Sequence, residues 1–185
     1  NTSSLGRSQV WGWLPAILCE QSSAKLVVKL EEDSSLQDKN KTLSVPPSSL
    51  EQGDILLDNE LPLNAQGQAA PPQDLIKLTH LHEPAVVQSL KLRYEQDTIY
   101  TATGPVLLAL NPFQNIRGLY GESTMKKYYS TQDKSSLPPH VYQIADASFR
   151  SMMRRIDETV DDPDQKGKCN QSILVSGESG AGKTV

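Results

Sequence analysis

Apolar and polar residues change their spacing along this 185-residue chain, and the change divides it into two textures. From Val10 to about Asn59 the apolar positions fall in short runs broken by turns. Trp11 and Trp13 alternate around Gly12. The runs Ala16-Ile17-Leu18-Cys19, Lys25-Leu26-Val27-Val28-Lys29-Leu30 and Thr42-Leu43-Ser44-Val45 have the length and β-branched content of strands. Glu31 to Lys41 is a charged hairpin loop, and Pro46-Pro47 closes the last run. This spacing predicts a small all-β barrel or sandwich over 10–60, with a core marginal on its own. The small polar residues of 1–9 predict a disordered start. Residues 61–73, with Gly67 and Pro71-Pro72, predict an extended linker.

At Asp74 the spacing becomes helical. Asp74 to Leu81 carries apolar residues at steps of three and four. Glu83-Pro84 then opens a clearer helix, with Val86, Val87, Leu90 and Tyr94 on one face. Thr98 to Thr101 and Pro105 to Leu110 predict two strands around a Thr103-Gly104 turn. The second is continuously apolar, which predicts burial on both faces of a sheet. A short helix is expected around Ser123 to Tyr129. Pro138-Pro139 opens the longest, whose stripe is Val141, Ile144, Ala145, Phe149, Met152 and Ile156. Asp157 to Asn170 is a charged loop, and Ser172-Ile173-Leu174-Val175-Ser176 predicts a buried strand.

The residues with the clearest chemistry come directly after that strand. Gly177-Glu178-Ser179-Gly180-Ala181-Gly182-Lys183-Thr184 fits Gly, any four residues, Gly, Lys, then Ser or Thr, the phosphate-binding loop. Glycines let the backbone turn with positive φ and bring N–H groups close to an anion. Lys183 supplies a point charge for β- and γ-phosphates, and the Thr184 hydroxyl can take one place around Mg²⁺. Such a loop works with a helix behind it. Only Lys183, Thr184 and Val185 remain here to begin one, and the chain starts at Asn1 rather than Met. The expectation is the front part of a larger protein.

Composition narrows the partners. A formal net charge of −4 leaves no basic footprint for nucleic acid. No apolar run approaches the roughly 18 residues that span a bilayer. Cys19 and Cys169 stand far apart, as reduced cytosolic thiols do. His80 and His82 lack the carboxylates or thiols that would complete a metal site, and Asp157 to Asp164 lacks the spacing of a calcium loop.

Beyond the loop itself, an ordered set of blocks resembles one family, the myosin motor. It comprises Leu81-His82-Glu83-Pro84-Ala85-Val86, Arg93-Tyr94, Asp97-Thr98-Ile99-Tyr100-Thr101 and Ala109-Leu110-Asn111-Pro112-Phe113. It continues in Pro138-Pro139-His140-Val141-Tyr142-Gln143-Ile144-Ala145-Asp146 and in Gln171 to Thr184. The resemblance implies the start of an α/β P-loop NTPase motor head over 74–185, preceded by a Src-homology-3-like barrel. It implies that Asn111, Pro112, Phe113 and Tyr120 line an adenine pocket and that Ser179 and Lys183 act at the γ-phosphate. It further implies ATP and Mg²⁺ as cofactors, actin filaments and light chains or calmodulin as partners, and a cytoplasmic, cytoskeletal setting. The segments that hold attacking water are expected beyond Val185, so the fragment alone is expected to be inactive. Two rival readings are another P-loop NTPase and a non-catalytic interaction module built on the barrel.

Overall fold

The computed structural model describes residues 3–8, 12–30, 42–158 and 169–183. Trp11, the loop 31–41, most of the acidic loop, Thr184 and Val185 lie outside them. The chain forms two compact units, Asn1–Pro72 with Lys77–Leu92 and Gln73–Ile76 with Arg93–Val185.

The first unit is built on five antiparallel strands: β1 (Ser3–Ser8), β2 (Gly12–Gln21), β3 (Leu26–Leu30), β4 (Thr42–Val45) and β5 (Ile55–Leu57), in the order β4-β3-β2-β1-β5. Alternation decides what is inside. Leu14 and Ala16 on β2, Leu26 and Val28 on β3, and Ile55 on β5 are buried. Leu18, Leu30, Leu43 and Val45 pack around Ala16, Leu26, Val28 and Ile55. The register shifts between Leu18 and Glu20, a bulge that leaves Cys19 exposed. This sheet fits a small barrel-like region. One expectation is corrected: Ser3–Ser8, read as a disordered start, is an interior strand paired with both β2 and β5. Its polar composition hid a strand that backbone pairing defines.

A helical turn, α1 (Ser48–Glu51), leads into β5. Beyond it, within the stretch read as a linker, Leu63 bridges Ala69 around a turn closed by Asn64. The Asn64 Oδ1 accepts from the N–H groups of Gln66 and Gln68, each at 2.9 Å.

Helix α2 (Glu83–Tyr94) starts where the Glu-Pro pair predicts. Its inner face differs from the expected one. Ala85, Ser89 and Arg93, at successive steps of four, are buried, whereas Val87 and Tyr94 are exposed. Ala85 and Ser89 are small enough to be covered, and Arg93 is buried with its guanidinium hydrogen-bonded, which an apolar count overlooks. The helix expected from Asp74 shrinks to a 3₁₀ turn at Leu75–Lys77. There the Asp74 carboxylate accepts the N–H groups of Ile76 and Gly104, and Gln73 accepts that of Ala102. These bonds tie the segment to a hairpin instead of letting it propagate as a helix.

That hairpin is β6 (Tyr100–Thr103) and β7 (Val106–Ala109), antiparallel, with Gly104 at φ 60° in the turn. Val106 is 53% exposed, so β7 is not the doubly buried strand expected from its composition. Among the described residues it pairs with β6 alone, and Leu107 and Leu108 are half-buried. Helices α3 (Glu122–Ser130) and α4 (Val141–Glu158) come next, as expected. The α4 stripe is not sealed, with Phe149 and Ile156 at 51% and 40% exposure. Ser172 to Ser176 is also corrected. Among the described residues it has no ladder partner, and Leu174 is 91% exposed. A strand exists only by pairing, and apolar composition cannot supply the neighbour.

Candidate functional site: a glycine-rich loop clasped by Asn111

Within the second unit the glycine-rich segment forms a tight, exposed loop. Gly180 and Gly182 hold φ at 82° and 89°, in the region that only glycine enters cheaply. The Ala181 N–H donates to Glu178 O at 3.2 Å. A Cβ placed on Gly177 would stand 3.1 Å from the Cβ of Ala181, so the loop closes on itself where a side chain would intrude. The Lys183 ammonium lies across this closure, donating to the carbonyls of Gly177 and Glu178, both at 2.7 Å. A cation centred on a glycine-rich turn is a donor set that suits an anion such as a phosphate. Ser179 sits exposed at the same turn. Thr184, expected to meet Mg²⁺, lies outside the described residues.

Asn111 reaches this loop from the end of β7. Its Nδ2 donates to Gly180 O at 3.0 Å, while its Oδ1 accepts the Phe113 N–H at 3.0 Å. The same side chain therefore turns the chain after β7 and clasps the glycine-rich loop. Its Cγ lies 3.6 Å from where a Cβ on Gly182 would sit, so a larger residue at 182 would press on the clasp. The Asx turn holds Phe113 at φ 50°, with its ring 83% exposed. Pro112 is half-buried between them.

Tyr120 stands apart from Asn111 in sequence and is anchored by its hydroxyl, 2.6 Å from that of Tyr100. Tyr100 is buried on β6, and burial first, then the bond to Tyr120, pushes its hydroxyl above the usual phenol pKa. Behind both lies His140, 3% exposed. Its ring stacks on Tyr128 (4.9 Å, 24°) and meets Tyr100 edge-on (5.0 Å, 68°). Its Nδ1 accepts the Tyr142 N–H at 3.1 Å at the start of α4, which leaves Nε2–H to donate to Leu119 O at 3.1 Å. Those two bonds require the neutral ring, and burial pulls its pKa below the ordinary histidine value. Sequence reasoning placed His140 only in a motif and gave it no task. A histidine just before a helix is the signal that could have found the cap.

Arg93 supports this arrangement from α2. Its Nε donates to Thr101 Oγ1 at 2.7 Å and its Nη2 to Tyr100 O at 2.8 Å. Both acceptors sit on β6, and burial lowers the guanidinium pKa. In the first unit, His82 Nε2 bonds Leu57 O at 2.8 Å and its Nδ1 caps the N–H of Ala85. The His80 backbone pairs with the Asn59 amide. These histidines clip loops together. No group of three or more His, Cys, Asp or Glu suited to a metal occurs among the described residues, nor does any helix there have the length and apolarity to cross a membrane.

Comparison with known proteins adds an independent finding. The family described as myosin head (motor domain) matches residues 72–185. Myosin-9 of Arabidopsis thaliana is 44% identical over 123 residues, covering 66% of this chain and 7% of that protein. Myosin-2 of the same plant is 46% identical over 112 residues, covering 60% of this chain and 8% of the relative. Myosin-7 is 44% identical over 128 residues, 69% of this chain and 7% of its own length. The chain thus spans less than a tenth of each of these relatives.

Proposed function

The chain belongs to the myosin head (motor domain) family, and from that premise we propose that it is the amino-terminal part of an actin-based cytoskeletal motor that binds and hydrolyses Mg-ATP. The observation that carries this reading is the Gly177–Lys183 loop, with two left-handed glycines and a lysine ammonium seated across it. The proposed fold is a P-loop NTPase over 74–185 following a Src-homology-3-like barrel over 10–60.

In this reading the backbone of Gly177, Glu178, Ser179, Gly180, Ala181 and Gly182 cradles the phosphates. Lys183 leaves its two carbonyl partners to neutralise β- and γ-phosphate charge, and Ser179 offers its hydroxyl at the γ-position. Thr184 would hold the magnesium ion, whose positive charge lowers the cost of charge building on the transferred group. Asn111, Pro112, Phe113 and Tyr120 would receive the adenine, a role that the exposed faces of Phe113 and Tyr120 favour. Actin, and light chains or calmodulin, would bind through other parts of the complete protein, in the cytoplasm on the actin cytoskeleton. The 185-residue chain alone is proposed to be inactive, because the apolar run Ile173-Leu174-Val175 leading into the loop is exposed and, among the described residues, has no sheet neighbour to hold the loop in place.

The test is steady-state ATP hydrolysis by the complete protein with and without actin filaments. Acceleration by filaments is expected. Hydrolysis indifferent to actin would leave a P-loop NTPase that is not a motor, and no hydrolysis at all would favour the non-catalytic module.

A further inference from the structure

Tyr120 is held from three directions, and none of these bonds uses the face of its ring. The carbonyl of the residue before it, Leu119, accepts from His140 Nε2 at 3.1 Å. The N–H of the residue after it, Gly121, donates to the Tyr142 hydroxyl at 3.4 Å. Its own hydroxyl meets that of Tyr100 at 2.6 Å. The ring stands edge-to-face with His140 (5.7 Å, 61°) and Tyr142 (6.3 Å, 70°), yet remains 53% exposed. Gly121 at φ 125° allows the chain to turn away directly after it. A tyrosine anchored at both flanking peptides and at its tip, with an open ring, is a preorganised stacking surface. A loose tyrosine would have to be ordered when the ligand binds, at a cost in affinity.

We propose that Tyr100, His140 and Tyr142 are positioning residues that fix the Tyr120 ring as the stacking face for the purine of the bound nucleotide. The inference rests on the reading of Tyr120 as an adenine-loop residue. It assigns the orientation of that residue to an aromatic cluster over β6 and the start of α4, in which Tyr100 and His140 are buried and Tyr142 is half-buried. Tyr100 is the informative member because its hydroxyl is bonded to Tyr120 and its ring is backed by His140. Replacing it with Phe removes one oxygen and keeps the packing.

The experiment uses the complete protein and two ligands, ATP and inorganic tripolyphosphate, which has phosphates but no base. Tyr100→Phe should weaken ATP binding by about 3- to 10-fold, the loss of one oriented hydrogen bond, with tripolyphosphate affinity unchanged. KM for ATP should rise in step while kcat stays within about twofold. Tyr120→Ala should weaken ATP further, again sparing tripolyphosphate. If Tyr100→Phe weakens both ligands equally, Tyr100 serves only the stability of the region and the inference fails. It fails as well if Tyr120→Ala weakens ATP but Tyr100→Phe does not. If Tyr120→Ala leaves ATP binding intact, the adenine-loop reading falls and takes the inference with it.

Discussion

Asn111 gives the sharpest mutational prediction, because its two ends do separate things. In Asn111→Ala the Gly180 carbonyl and the Phe113 N–H each lose a bond of 3.0 Å. Gly180 and Phe113 are exposed, so water takes over much of each interaction, and the net loss lies near the low end for neutral hydrogen bonds. Two such losses come to about 1 kcal/mol, or about fivefold in affinity. Asn111→Asp keeps an acceptor for Phe113 but turns a carboxylate oxygen toward Gly180 O, next to the proposed phosphate site. It should be worse than alanine, by about tenfold or more against wild type. The assay is binding of tripolyphosphate and of ATP to the complete protein by calorimetry. If Asn111 acts by clasping the loop, both ligands weaken, and aspartate is worse than alanine for each. Loss confined to ATP, or aspartate tolerated as well as alanine, would refute the clasp and leave Asn111 as a reader of the base.

Two further predictions concern the scaffold. Arg93→Lys cannot span both Thr101 Oγ1 and Tyr100 O, so it should lower unfolding free energy by about 1.5–3 kcal/mol in chemical denaturation; a loss under about 0.5 kcal/mol would show the fork is dispensable. His140 has a folded pKa below its unfolded value near 6.5, so its neutral form stabilises the fold fully above that pH, and the contribution drains away as pH falls through the lowered folded value. His140→Asn, which keeps a cap acceptor for α4 but cannot titrate, should flatten the fall in denaturation midpoint between about pH 7.5 and 5, and an unchanged slope would place the pH dependence elsewhere.

Much of this could be read from the residues alone. The start of α2 was visible because Pro84 marks its first turn, that of α4 because Pro138-Pro139 stand just ahead of it, and β3 because of its short, β-branched apolar run. The loop was visible because its glycines and Lys183 are needed in fixed positions. What escaped was tertiary. Ser3–Ser8 carries no hydrophobic signature, since its pairing is between backbones. The buried face of α2 is made of Ala85, Ser89 and Arg93, residues that hydrophobicity ranks low. Ile173-Leu174-Val175 has the composition of a buried strand and is exposed, because burial needs a neighbour that composition does not name. The Asn111 clasp joins residues 69 positions apart, and nothing local to either segment announces it.

In the proposed function the Gly177–Lys183 loop grips a nucleoside triphosphate through its backbone and the Lys183 ammonium. Titrating ATP into the complete protein and its Lys183→Ala variant, in the presence of Mg²⁺, tests this most directly. Loss of one charge-assisted anchor, about 1.5–3 kcal/mol, should weaken binding by about 10- to 150-fold while the fold melts at an unchanged temperature. Equal ATP affinity in the two proteins would contradict the account.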